Sequence, residues 1–253
     1  MIKNLKQDTL RYVLNNNLLN DRGLVLEFGC WKGQTIDMIS DFTSKNVYSF
    51  DTFEGMDCQW GDIDMRKFKL PSIPNKVHKL DKFTQRKKTN EISAFNKNVK
   101  FIKGFFKETL PDFLIRNKEA ITFIHVDCDL YESTKTIFEH CGSRISNDCI
   151  IVFDDIFNVM NYEDHEYKAF NEWVEKYDIV YEWIGSSSRV LNDEDIKFVD
   201  SLSIKKECLN YDNIPRFNDT REEVLFGDKM ILFNLKCQAA VKIISNPKFR
   251  EVA

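Results

Sequence analysis

The chain has 253 residues, 43% of them apolar and 30% charged, and 36 Lys and Arg against 40 Asp and Glu give a formal net charge of -4. That apolar content is enough for a substantial core, and the near balance of charge gives no general attraction to nucleic acid or to a membrane surface. Seven cysteines without a CxxC pair read as reduced thiols of a cytoplasmic protein, and neither a signal-peptide stretch nor an apolar run near the roughly 20 residues of a membrane span occurs.

Strand-like runs recur at 24–29, 46–51, 99–104, 121–127, 149–155, 179–185 and 229–236. Most are continuously apolar, which suits strands covered on both faces and therefore a mainly parallel sheet. Helix-compatible stretches at 35–42, 133–141 and 166–177 follow the first, fourth and fifth runs. Repeated strand-then-helix units predict a doubly wound α/β fold. The run at 229–236 is expected to be the antiparallel strand that completes a seven-stranded sheet. Two stretches break the alternation. Residues 57–98 are polar and rich in Lys and Arg, and are expected to form a lid-like insertion. Residues 186–222 are charged and without a clear period, an irregular insertion. With no repeat and no obvious linker, 1–253 reads as one domain.

The first strand runs into a turn, Glu27-Phe28-Gly29-Cys30-Trp31-Lys32-Gly33-Gln34-Thr35. Glycine permits a tight turn and close approach of a ligand, and the following helix start offers free N–H groups. A dinucleotide fingerprint would need glycine at positions 31 and 34, which are Trp31 and Gln34. The second strand ends at Asp51, whose carboxylate can accept both hydroxyls of a ribose. Trp31 and Phe53 either border a cofactor or pack. Phe101, Phe105, Phe106 and Phe113 read as core, His125 as a satisfied core histidine, and His165 as an exposed residue near a helix start.

The fourth and fifth runs end in Asp127-Cys128-Asp129 and Asp154-Asp155. Ligands of open α/β sheets bind beyond the carboxyl ends of the strands, so four aspartates are expected near one crevice. Like charges so close raise one another's pKa, and a divalent cation relieves the conflict. All-oxygen ligands favour Mg²⁺, Mn²⁺ or Ca²⁺. Helix capping is the plainer reading of any single one of these aspartates.

The acidic-x-Gly-x-x-x-Gly turn resembles the first motif of class I S-adenosylmethionine-dependent methyltransferases. The segments starting at Asp51-Thr52-Phe53, Gly104-Phe105-Phe106, Asp127-Cys128-Asp129 and Asp154-Asp155 resemble the macrocin O-methyltransferase type of sugar O-methyltransferase, in the right order over roughly residues 20–175. The resemblance implies a Rossmann-like fold, with Glu27, Gly29 and Gly33 against the methionine part of the cofactor. It places Trp31, Thr35, Asp51, Thr52, Phe53, Gly104 and Asp127 in the cofactor site. It makes Asp127, Asp154 and Asp155 the Mg²⁺ ligands and Asp129 the general base. The implied reaction is metal-dependent methyl transfer from S-adenosylmethionine to a sugar hydroxyl, on a sugar or nucleotide-sugar of surface-polysaccharide or natural-product synthesis. Cations of the lid, Arg66 and Arg86 among them, are candidates to meet a diphosphate. A nucleotide-sugar glycosyltransferase using the Asp-x-Asp pair and a catechol O-methyltransferase remain alternatives, and homo-oligomerisation stays open.

Overall fold

The computed structural model describes residues 2–5, 7–60, 63–80, 87–157, 162–187, 222–226, 229–233 and 238–250. Helix α1 (Thr9–Asn15) is capped by Asp8, whose carboxylate accepts from the Arg11 amide. Strand β1 (Leu24–Phe28), helix α2 (Gln34–Ser40) and strand β2 (Val47–Asp51) follow. Two ribbons interrupt the alternation, β3 (Gln59–Trp60) with β4 (Ile63–Asp64) and β5 (Lys76–Leu80) with β6 (Lys87–Ala94). It resumes with β7 (Val99–Lys103), α3 (Phe106–Arg116), β8 (Ile121–Val126), α4 (Tyr131–Cys141), β9 (Ile145–Phe153), α5 (Glu166–Tyr177) and β10 (Val180–Ser186). The last elements are β11 (Glu222–Phe226), β12 (Lys229–Phe233) and β13 (Ala239–Ser245).

Seven strands form the main sheet in the order β10-β13-β9-β8-β1-β2-β7. The pairs from β9 through β7 are parallel, and β13 lies antiparallel between β9 and β10. Alternate side chains point to opposite faces. Leu26, Phe28, Val126 and Phe153 pack with Leu110 of α3, Phe138 of α4 and Trp173 of α5. Val25, Phe123 and Val152 pack with Leu10 and Val13 of α1 and Ile36 and Ile39 of α2. Helices on both faces account for the continuous apolar runs, each large buried side chain contributing roughly 1.5–3 kcal/mol. No helix among the described residues is long and apolar enough to cross a membrane.

The expected last strand needs correction. Residues 229–233 pair with β11 in a separate two-stranded ribbon, and the antiparallel strand of the main sheet is β13. Its first two residues are alanines, fully buried but weak as a hydropathy signal. Helix α3 was hidden by Pro111 inside it and α1 by its seven-residue length. The 57–98 insertion holds the two ribbons and a 3₁₀ turn at Met65–Phe68. Apart from Ser186, Ser187 and Glu222, the 186–222 insertion lies outside the described residues, as does Arg86.

Candidate active site

Strand register assembles the site. Phe28 pairs with Phe50 and with Val126, and Val126 pairs with Phe153. Gly29, Asp51, Asp127 and Asp154, one residue further along each strand, therefore share a level at the carboxyl ends. Backbone bonds seal that level: Gly29 N–H donates to Phe50 O at 2.9 Å, and Asp127 N–H to Phe28 O and Asp154 N–H to Val126 O at 2.8 Å each. Above it opens a cavity of about 360 Å³.

One wall is the first turn. Asp51 Oδ2 accepts from the amides of Cys30 and Trp31, each at 2.9 Å, and Oδ1 from Phe53 N–H at 2.7 Å. Asp51 thus holds the turn in shape and keeps part of its acceptor capacity facing the cavity. Gly29, Trp31 and Gly33 have φ of +83°, +43° and +76°. A Cβ on Gly29 would lie 1.8 Å from Asp127 O, so contact with the adjoining strand end already demands glycine there. Trp31 is 37% exposed, its ring edge-on to Phe68 at 5.5 Å.

The other wall carries the carboxylates. One ligand oxygen from each of Asp127, Asp154 and Asp155 lies within 4.8 Å of the other two. Asp129 stands beside them with φ +62°, a left-handed backbone held by Glu166 Oε1, which accepts from Asp129 N–H at 3.2 Å. Burial pushes Asp127 and Asp155 well up, and their carboxylate neighbours push them further. Burial also raises Asp129, against a hydrogen bond from Asp155 that lowers it. Asp154 is raised by burial and partly relieved by His125 and Gln238. Three convergent, mutually repelling oxygen donors fit a hard divalent cation, which would neutralise them.

Of the residues picked from sequence, Gly29, Trp31, Asp51, Thr52, Asp127, Asp129, Asp154 and Asp155 line this cavity. Glu27, Gly33, Thr35, Phe53 and Gly104 stand off it. Glu27 is fully buried two residues below, where its carboxylate accepts from Ser49 Oγ at 2.9 Å and meets His125 Nδ1 at 3.1 Å. Burial would depress His125, but Glu27, with Asp154 and Asp8 adding to it, outweighs that and the pKa rises. His125 is only half satisfied, since its buried Nε2 has no partner. Gly33 caps α2, where a Cβ would meet the Phe95 ring at 2.7 Å. Phe53 is buried against Phe101. Thr35 is the second residue of α2, and Gly104 follows β7, its N–H donating to Asp51 O at 3.0 Å.

Sequence reasoning missed several wall residues. Phe105 is 48% exposed on the cavity instead of core, and Phe106 lines it too. Met65 and Phe68 come from the insertion, whose 3₁₀ turn is tied back by Met65 N–H to Cys58 O at 3.1 Å. Glu166 was unsuspected; it is fully buried, its pKa is driven well up by burial and then by Asp129, and its Oε2 has no partner. Its only sequence signal was a glutamate at a helix start. The half-buried His165 is the N-cap residue of α5.

Comparison with known proteins covers this same region. The profile of the macrocin-O-methyltransferase (TylF) family matches residues 1–180. Demethyldecarbamoylnovobiocin O-methyltransferase of Streptomyces niveus is 25% identical over 194 residues, 72% of this chain and 68% of its own length. The 8-demethyl-8-(2,3-dimethoxy-alpha-L-rhamnosyl)-tetracenomycin-C 4'-O-methyltransferase of Streptomyces olivaceus is 28% identical over 160 residues, 58% of this chain and 59% of its own. The solved structure of the O-methyltransferase NovP is similar at a TM-score of 0.47 and 21% identity, over 72% of this chain and 75% of that one. The profile match runs through every strand end that builds the cavity, and the chain belongs to the macrocin-O-methyltransferase family of S-adenosylmethionine-dependent O-methyltransferases.

Proposed function

We propose that the chain methylates a hydroxyl of a sugar, with Asp127, Asp154 and Asp155 holding a divalent cation, Mg²⁺ first, and Asp129 acting as general base. The convergence of those three carboxylates beside Asp129 at the cavity carries the reading. The name of the Streptomyces olivaceus relative, a 4'-O-methyltransferase of a rhamnosyl-tetracenomycin, supports a sugar acceptor. We further propose a nucleotide-linked sugar of surface-polysaccharide or natural-product synthesis. Lys67 of the insertion supports it, because it is exposed beside Phe68 of the cavity and offers a countercharge for phosphate.

S-adenosylmethionine supplies the electrophilic methyl group, and the cation supplies acidity to a bound hydroxyl. The chain does the positioning. Asp51 and the 29–33 turn hold the cofactor wall, with Trp31, Phe68 and Phe105 as an apolar rim that restricts water. Asp129 takes the hydroxyl proton during transfer, and Glu166 fixes the backbone from which Asp129 projects. A proton acceptor beside a poor nucleophile is what this chemistry needs at neutral pH.

Incubation with S-adenosylmethionine, Mg²⁺ and a panel of nucleotide-linked hexoses, free glycosides and catechols, read by mass spectrometry, tests the reading. A methylated sugar made by the wild type and lost in Asp129→Asn is expected. Methylated catechol as the sole product would overturn the sugar assignment.

A further inference from the structure

Gln238 stands immediately before β13, beyond the residues that match the family profile, yet its side chain reaches the carboxylate cluster. Its Nε2 donates to Asp154 Oδ1. Its Oε1 accepts from the amide of Thr9, the first residue of α1, at 2.9 Å. The Thr9 partner fixes the orientation of the amide, because a backbone N–H only donates and must therefore meet Oε1, which leaves Nε2 to face Asp154. The main chain is pinned as well. Gln238 O accepts from Ser187 N–H at 2.9 Å, from Ser187 Oγ at 3.2 Å and from Thr9 Oγ1 at 3.3 Å.

Asp154 is therefore treated differently from its neighbours. Its Oδ1 is held by a neutral side-chain donor that comes from a distant part of the chain. Holding Oδ1 fixes the rotation of the carboxylate and so the place of its second oxygen. Partners of this kind commonly orient the ligands of metal sites.

We propose that Gln238 is the positioning residue of Asp154, and that through Thr9 it ties the geometry of the carboxylate cluster to the N-terminal helix. The inference rests on the reading of Asp127, Asp154 and Asp155 as cation ligands.

The test is Mn²⁺ affinity of the full chain, by electron paramagnetic resonance, with thermal unfolding in parallel. Wild type binds Mn²⁺ and Asp154→Asn does not. Gln238→Leu weakens binding about 10–100-fold, the usual cost of losing such a partner. Gln238→Glu, which keeps the acceptor for Thr9 but sets a charge against Asp154, weakens it further. Thr9→Pro removes the N–H together with the side-chain hydroxyl and methyl, and closes a ring in their place. Proline suits the first position of a helix, and Asp8 already has φ -52° and ψ 126°, compatible with a following proline. Thr9→Pro is expected to weaken Mn²⁺ binding as well, while Thr9→Ala, which keeps the N–H, stays within about twofold of wild type. Folded Gln238→Leu with wild-type affinity would overturn the inference and leave the ligand reading standing. If Gln238→Leu does not fold, Thr9→Pro with wild-type affinity overturns it instead. A wild type that binds no Mn²⁺ would remove the ligand reading, and the inference with it.

Discussion

Gly29→Ala strikes the point where β1 meets β8. The new Cβ would fall 1.8 Å from Asp127 O and 2.7 Å from Asp127 C, at φ +83°. The obstacle is backbone, so no side-chain rotation relieves it. Relief requires the two strand ends to part by about 1 Å, with loss of the 2.8 Å bond from Asp127 N–H to Phe28 O. The left-handed backbone costs an alanine about 1–2 kcal/mol and the lost bond about 1 kcal/mol more. At about 2–4 °C per kcal/mol for a domain of this size, Tm should fall by about 4–12 °C. A shift of about 1 Å at Asp127 should lower methyl transfer about 100-fold or more. Gly33→Ala is the control. Its Cβ meets the ring of Phe95, which can turn aside, so it should cost only the backbone penalty. Calorimetry and initial rates on both variants decide. A Gly29→Ala protein as stable and active as wild type, or less damaged than Gly33→Ala, would refute the reasoning.

Asp129→Asn should lower kcat about 10²–10⁴-fold, the usual contribution of a general base, with S-adenosylmethionine affinity by calorimetry unchanged; an unaltered kcat would contradict its role. Asp127 and Asp155 have raised pKa values, so without metal the native state binds more protons than the unfolded chain. Their contribution to stability is then lost as pH rises from about 4 through the raised values, and the rise in Tm given by Mg²⁺ over EDTA should be larger at about pH 7.5 than at about pH 5.5. A Mg²⁺ increment that shrinks with rising pH would contradict this. Glu166→Ala removes the acceptor of the half-buried Asp129 N–H and should cost about 0.5–1.5 kcal/mol, whereas Glu166→Gln keeps an acceptor and should stay near wild type by denaturant unfolding. Equal losses in the two variants would show that the hydrogen bond does not matter.

The sheet was legible because its strands are buried on both faces and so announce themselves as apolar runs. The carboxylate cluster was legible for a related reason. Strand ends converge in this kind of sheet, and parallel register brings Asp127 level with Asp154. What the sequence hid depends on contacts between distant segments. Glu27, placed at the cofactor by the resemblance, stands two residues before Gly29 in the strand, where its carboxylate meets Ser49 and His125, a contact no local pattern announces. Phe105 looked like core because it is aromatic, and only the path of the chain into α3 leaves it on the cavity. The lysine-flanked run at 229–236 outshone the alanines of β13 because hydropathy records side-chain size and not burial.

Asp127, Asp154 and Asp155 are proposed to hold a cation required for methyl transfer. The direct measurement is the initial rate of S-adenosylhomocysteine formation with an accepted sugar, in Mg²⁺, after exhaustive chelation, and after Mg²⁺ is restored, for wild type and Asp155→Asn. The wild-type rate should be abolished by chelation and recovered with Mg²⁺, and Asp155→Asn should be inactive throughout. A chelated wild type that turns over at its full rate would contradict that proposal.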